Sequence, residues 1–281
     1  MPLHLRNARR GLTSAVLLTS LLAAGQQGWL EPRQFFVPVG TRMYVQHCLG
    51  DNFTAKPRSA PSRHIRRFLH LAPGRTTDLT LLATQADTLR STVVFPRGGT
   101  NLLALRTSEA LKSHEADQFN EYLRKAGLTS VIGLRATRNE TDKPGREGYQ
   151  RCLKTLVQVT GTSPHADDTV WHQRVGLPLE LIPERNPYRL RSGDSLTISL
   201  LADGRPAAGQ AVEVVTRPRT GKAGTDPVLR LRTDMKGRVR FRLPAASAVL
   251  VRSVRMVPHP SRDSADWQST WTSLTFAGPS H

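Results

Sequence analysis

The sequence predicts a mainly β chain of two domains: an N-terminal β domain with a helical insertion, then an immunoglobulin-like or transthyretin-like β-sandwich. Three observations carry this. Short apolar or alternating runs of strand length recur from Gln34 to Ser108, broken by Gly40, Pro57, Pro61, Pro73-Gly74 and Gly98-Gly99. The stretch at about 113–136 switches to helical spacing. Beyond residue 172 about seven further strand-length runs fit into roughly a hundred residues, the count of a β-sandwich.

The first segment, residues 1–25, reads as a signal peptide. Arg6, Arg9 and Arg10 form a positive start, Gly11 to Ala24 is largely apolar and uncharged, and Ala23-Ala24-Gly25 supplies small residues for cleavage. That apolar stretch is too short to span a bilayer, and no later segment resembles a membrane helix. The expected address is periplasmic or secreted, by the general export route rather than the twin-arginine one. Cleavage near Gln26 leaves about 256 residues, enough for two domains at 26–172 and 173–281. Trp29 follows so closely that the new terminus should be packed.

Within 26–172 the expected strands are Phe35 to Pro38, Arg42 to Leu49, His64 to Leu71, Asp78 to Ala83, Thr92 to Phe95 and Asn101 to Thr107. Ser113 to Ala126 reads as a helix because Phe119, Tyr122 and Leu123 fall at i, i+3 and i+4, with Gly127 as a stop. A short second helix is expected over Thr129 to Ala136, a loop over Arg138 to Gly148, and a strand over Tyr149 to Thr160. Thr160 to Asp168 has linker composition. In the second half the strands are Leu177 to Ile182, Ser195 to Ala202, Ala211 to Thr216, Val228 to Thr233, Val239 to Leu243, Ala248 to Val257 and Ser269 to Phe276. Asp203-Gly204-Arg205-Pro206 and Asp234-Met235-Lys236-Gly237 supply turn chemistry between them.

Hydrophobic residues make up 38% and charged residues 22%, which suits a folded chain and argues against disorder. The net charge is +18, or +15 once three leader arginines are removed, and only seven of the forty basic residues are lysine. The basic residues are scattered (Arg66, Arg67, Arg146, Arg151, Arg217, Arg219, Arg240, Arg242), no nucleic-acid motif is present, and an exported protein rarely meets nucleic acid. The balance therefore suits an anionic envelope surface or polymer, or a solvated basic face with no dedicated partner. Cys48 and Cys152 either form one disulfide, closing a loop of about a hundred residues and worth ~4 kcal/mol, or remain two buried thiols.

No enzyme is predicted, since no nucleophile, base and acid can be assembled. Gly193-Asp194-Ser195-Leu196 spells an esterase motif, but it precedes a strand where that motif needs a strand-to-helix turn. His114-Glu115-Ala116-Asp117-Gln118 lacks the second histidine of the zinc-protease signature. The candidate metal ligands are His165, Asp167, Asp168 and His172, two imidazoles and two carboxylates in one loop, acceptable to nickel, cobalt or zinc. His47 and Cys48, adjacent on a strand, face opposite sides. His259, between Pro258 and Pro260, reads as exposed. Asn52-Phe53-Thr54 and Asn139-Glu140-Thr141 are formal glycosylation sequons.

Several longer runs carry a resemblance. They are Trp29-Leu30-Glu31-Pro32, His64-Ile65-Arg66-Arg67-Phe68, Phe119-Asn120-Glu121-Tyr122-Leu123 with Gly127-Leu128, and Thr141 to Tyr149 leading to Arg151-Cys152 and Lys154. Gly176 to Glu184 with Asn186-Pro187-Tyr188, and Asp266 to Phe276, complete the set. In order and spacing these resemble the NikM-like family of bacterial periplasmic proteins, a domain-of-unknown-function family long labelled as part of a cobalt or nickel uptake system. The resemblance spans nearly the whole mature chain. It implies a non-enzymatic periplasmic binding or accessory protein, nickel or cobalt as cargo, and a membrane transporter or envelope component as partner. Family members carry histidines where this chain has Gln26 and Arg255, so two ligands that the resemblance implies are missing. The competing expectation is a structural or adhesive envelope module that binds an anionic polymer or a protein.

Overall fold

The computed structural model describes residues 27–55, 64–85, 90–161, 168–218 and 227–279; the expected leader lies outside them. The elements of the N-terminal half are β1 (Gly28–Pro32), β2 (Phe36–Pro38), β3 (Thr41–Asp51), β4 (Thr54–Ala55), β5 (Ile65–Ala72), β6 (Arg75–Asp78), α1 (Thr80–Gln85), β7 (Arg90–Phe95), β8 (Gly99–Thr107) and β9 (Ala110–His114). The helices α2 (Ala116–Lys125) and α3 (Thr129–Thr137) and the long strand β10 (Gly145–Thr160) follow. After a single turn of 3-10 helix at Val170–His172 come β11 (Leu179–Pro183), a second such turn at Pro187–Arg189, β12 (Ser195–Ala202), β13 (Arg205–Pro206), β14 (Ala211–Pro218), β15 (Val228–Arg232), β16 (Arg238–Arg242), β17 (Ser247–Pro258) and β18 (Trp267–Ala277). The chain is mainly β, as expected.

A ten-stranded sheet forms the middle layer, in the order β15-β14-β17-β18-β10-β8-β5-β6, with β2 and β9 also paired to β10. Strands from both sides of residue 172 share it. Its join is the parallel pairing of β10 with β18, from Glu147 opposite Trp267 to Thr155 opposite Thr275. The division expected at residue 172 is thus not a break in the sheet.

Alternation along these strands sends successive side chains to opposite faces, and each face is covered. On one face Leu69, Leu102, Leu156, Val212, Val251 and Leu274 meet Leu181, Leu196, Ile198, Leu200, Val239 and Phe241 from the small sheet of β11, β12, β13 and β16. On the other, Phe68, Leu105, Leu153 and Val157 meet Leu30, Met43, Val45, Val93 and Phe95 from the sheet built on β1, β3 and β7. At the far end of that second face, α2 and α3 lay Phe119, Tyr122, Leu123 and Val131 over Val254, Met256, Trp267 and Trp271. Each such buried aliphatic or aromatic side chain contributes roughly 1.5–3 kcal/mol by leaving water.

Three local expectations change. The loop expected over Arg138 to Gly148 gives way to strand at Gly145, because Gly145 to Tyr149 pair with β9. Asp78 to Ala83 is not a strand: β6 ends at Asp78 and α1 begins at Thr80. The Asp78 carboxylate accepts the Thr80 amide at 2.8 Å, as a helix-capping aspartate does, and Leu79 and Ala83, four apart, are buried while Leu81 and Leu82 are exposed. The first helix of the insertion starts at Ala116 rather than Ser113, because Ala110 to His114 pair with β10 as strand.

Candidate functional site

The four expected metal ligands part company. His165 and Asp167 lie outside the described residues. Asp168 is buried at the mouth of β8, where one carboxylate oxygen accepts the Thr100 amide at 2.8 Å and its carbonyl accepts the Trp171 indole N–H at 3.0 Å. Its other oxygen, Oδ1, is buried with no hydrogen-bond partner. His172 is exposed, with its ring 4.3 Å from that of Trp171. Among the described residues no group of three His, Cys, Asp or Glu could hold a metal ion.

Cys48 and Cys152 are both buried and free, so no bridge joins β3 to β10. The reason is geometric. Cys48 packs with Trp29, Phe35 and Leu250 on one face of the central sheet. Cys152 alternates with Leu153, which packs on that same face, and so points to the other. Burial pushes both thiols up, Cys152 to about 11; beside Cys48 the Glu31 carboxylate adds to that effect. His259 is buried rather than exposed, its Nε2 3.2 Å from Glu109. The Asn52 sequon sits on the β3–β4 turn, with the Asn52 amide oxygen accepting from Arg252 at 3.0 Å.

A cleft of about 480 Å³ opens beside His172. Its floor is the outer face of the small sheet, Ile182 and Pro183 of β11 with Ser199 and Leu201 of β12. Trp171, His172 and Arg174 form one wall, and Pro206, Lys236 and Arg238 the other. The second wall stands on a tight turn. The Asp234 carboxylate accepts the Lys236 amide at 2.9 Å and pairs with Arg238 at 3.2 Å, while Gly237 takes φ 72° with Leu200 O only 2.7 Å from where a Cβ would be. The first wall is fixed from beneath. Lys154, wholly buried, bonds Glu180 at 3.0 Å and the Leu181 carbonyl at 3.1 Å. Glu180 in turn accepts the backbone amides of Val175 at 2.9 Å, Gly176 at 3.2 Å and Leu177 at 3.4 Å, which holds the strap that carries Trp171 to Arg174. Desolvation lowers the Lys154 ammonium and the Glu180 charge partly restores it. One acid, Glu184, lines the cleft and accepts the Ser199 hydroxyl at 2.7 Å. The arrangement offers three cations, a hydroxyl and a half-buried indole to one open volume, which can hold an anionic, partly apolar ligand.

A second polar cluster, absent from the sequence reading, lies under α2. Glu147 of β10 accepts from His114 Nε2 at 2.8 Å, from the Tyr122 hydroxyl at 3.1 Å and from the Ser269 hydroxyl by a short bond. Here the carboxylate stands between serine and imidazole, so the serine donates to the acid, and a nucleophile–base contact is not made. The GDSL-like run is a turn before β12, where the Asp194 carboxylate accepts the Arg191 amide at 2.9 Å.

The chain belongs to a family described only as a domain of unknown function, DUF4198, whose profile matches residues 23–256. That description names no ligand. No curated protein matches the chain. Among solved structures, the FN1–FN3 domains of chicken CNTN1 align over 90% of this chain and 65% of theirs, at 6% identity and a TM-score of 0.20. A likeness that low carries no argument about the fold.

Proposed function

We propose that this DUF4198 member is an exported, non-enzymatic binding protein, periplasmic or secreted, that holds an anionic ligand in the cleft beside Trp171. The observation that carries the reading is the cleft wall: Arg174 and Lys236 face the open volume, and among the described residues neither has an acidic partner. Both side chains are exposed, so an arriving carboxylate or phosphate gains charge-assisted hydrogen bonds without displacing an existing ion pair. Trp171 is half-buried whereas Trp29, Trp267 and Trp271 are buried, so occupancy should register in the intrinsic fluorescence. The test is a fluorescence titration of residues 26–281 with D-galacturonate, alongside neutral D-galactose. The acid should quench with a dissociation constant at least tenfold below that of the neutral sugar, and Arg174→Ser/Lys236→Ser should abolish the difference. Equal affinity for both sugars would refute the reading.

A second reading rests on Asp168 Oδ1, a buried carboxylate oxygen with no donor, four residues before His172. With His165 and Asp167, which precede it in the sequence, and His172, it would make a carrier site for Ni²⁺ or Co²⁺, delivered to a membrane transporter or envelope component. Calorimetric titration with either ion, repeated on His165→Ala/His172→Ala, tests it: tight one-to-one binding lost in the variant supports this reading, and no binding ends it.

A further inference from the structure

The cleft continues as a ladder of arginines. In β16 the residues alternate between core and solvent: Val239 and Phe241 pack inward, while Arg238 is half-buried and Arg240 and Arg242 are exposed. Antiparallel pairing sets each arginine beside a hydroxyl of β12: Arg238 opposite Ser199, Arg240 opposite Thr197, Arg242 opposite Ser195. Outward residues two apart on a strand are about 6.6 Å apart, so three guanidinium groups form a straight row of roughly 13 Å. Arg238 is partly neutralised by Asp234. Among the described residues Arg240 and Arg242 have no ion-pair partner. The row points at the cleft, where Lys236, Arg174 and Trp171 continue the same chemistry.

We propose that this face is the docking track of a linear acidic polysaccharide, one end of which seats in the cleft. The inference rests on the anionic-ligand reading of the cleft and extends it from a single sugar acid to a polymer. Charge complementarity names the partner: a row of cations at regular spacing suits a chain with a carboxylate on successive sugars, since each added unit meets another guanidinium. The hydroxyls of Ser195 and Thr197 lie beside Arg242 and Arg240 and can bond sugar hydroxyls, while that of Ser199 donates to Glu184. At the end of the row the Trp171 indole supplies an apolar face for a pyranose ring. Arginine suits the role better than lysine because its planar fork meets a carboxylate with two parallel hydrogen bonds.

The test measures affinity of residues 26–281 for galacturonate, its tetramer and its octamer, with fully methyl-esterified oligomer and polyphosphate as controls. The variants are Arg240→Ser/Arg242→Ser on the ladder and Arg42→Ser/Arg66→Ser, the same charge change at exposed sites outside it. Thermal melts of both variants should match the parent, as these side chains are exposed. The octamer should bind at least tenfold tighter than the monomer. The ladder variant should remove that gain and leave monomer affinity within threefold, while the other variant changes neither. A monomer that binds with no gain on lengthening overturns the track and leaves the cleft reading standing. Octamer binding that the ladder variant abolishes, with no monomer binding, keeps the track and overturns the cleft reading. Octamer binding that the two variants weaken equally reports diffuse charge and overturns the track. Polyphosphate or the esterified oligomer binding as tightly as the octamer overturns the assignment to an acidic polysaccharide, and no binding by any oligomer overturns both proposals.

Discussion

His47 makes the fold acid-sensitive by a calculable amount. Its side chain is buried on β3, its Nε2 has no hydrogen-bond partner, and a Cβ on Gly28 would lie 3.3 Å from that nitrogen. Desolvation first, and then the Arg151 charge, lower its pKa from 6.5 to about 3. The unfolded chain therefore takes up a proton near pH 6.5 that the folded chain refuses until about pH 3. Stability from this group is complete above pH 6.5 and is lost as pH falls towards 3. At about 1.4 kcal/mol per unit, that window holds roughly 5 kcal/mol. Urea unfolding of the parent and of His47→Gln, at steps from pH 7.5 to 3.5, isolates the effect because other titrating groups are common to both. Below pH 6.5 the parent should lose about 1.4 kcal/mol per unit more than the variant. Parallel stability curves would refute the reasoning, since His47 would then be protonated as readily in the folded state as in the unfolded one.

Three further outcomes follow from packing and burial. Lys154→Met strands the Glu180 carboxylate in the interior and should cost about 3–5 kcal/mol in urea; adding Glu180→Gln should cost less than the two singles summed, and strict additivity would show that the pair is not coupled. Gly145→Ala places a methyl 2.5 Å from Phe119 Cε1, so α2 must shift. A loss of about 1–3 kcal/mol is expected, and a melting temperature equal to the parent's would contradict the contact. Both thiols should resist a disulfide reagent in the native chain and titrate as two equivalents in denaturant; fast native labelling of either would contradict its burial.

Period-2 alternation made most strands readable. Ser195 to Ala202 matches β12 residue for residue, and β17 and β18 differ from their expected ends by one or two residues. The amphipathic triplet Phe119, Tyr122 and Leu123 located α2 because one face of the helix had to be apolar. What alternation cannot encode is partnership. Nothing local in Tyr149 to Thr160 says that its neighbour is a strand 120 residues on, beyond the boundary expected at residue 172. The cleft was half legible. His172 and Asp168 stood out as polar neighbours, yet Asp168 serves the backbone of β8. Arg174 stands on the strap tied to Glu180 of β11, about sixty residues from Lys236 and Arg238, which reach the cleft through the pairing of β16 with β12. The alternating Arg238-Val239-Arg240-Phe241-Arg242 was the available signal: a strand with arginine at every outward position.

The place of β18 governs the order in which the molecule can form. This strand lies between β17 and β10, so the middle layer remains two separate halves until residues 267–277 arrive. The hairpin with β17 closes locally, but its other edge must find β10 across 120 residues, and the hydroxyl of Thr275 reaches the Leu30 carbonyl, 245 residues away, at 2.5 Å. Loop-closure entropy is paid before those contacts return anything, so folding should be slow. During that interval the edges of β10 and β17 stand open, which is when a chain so rich in unpaired strand would depend on chaperones to stay apart from its copies.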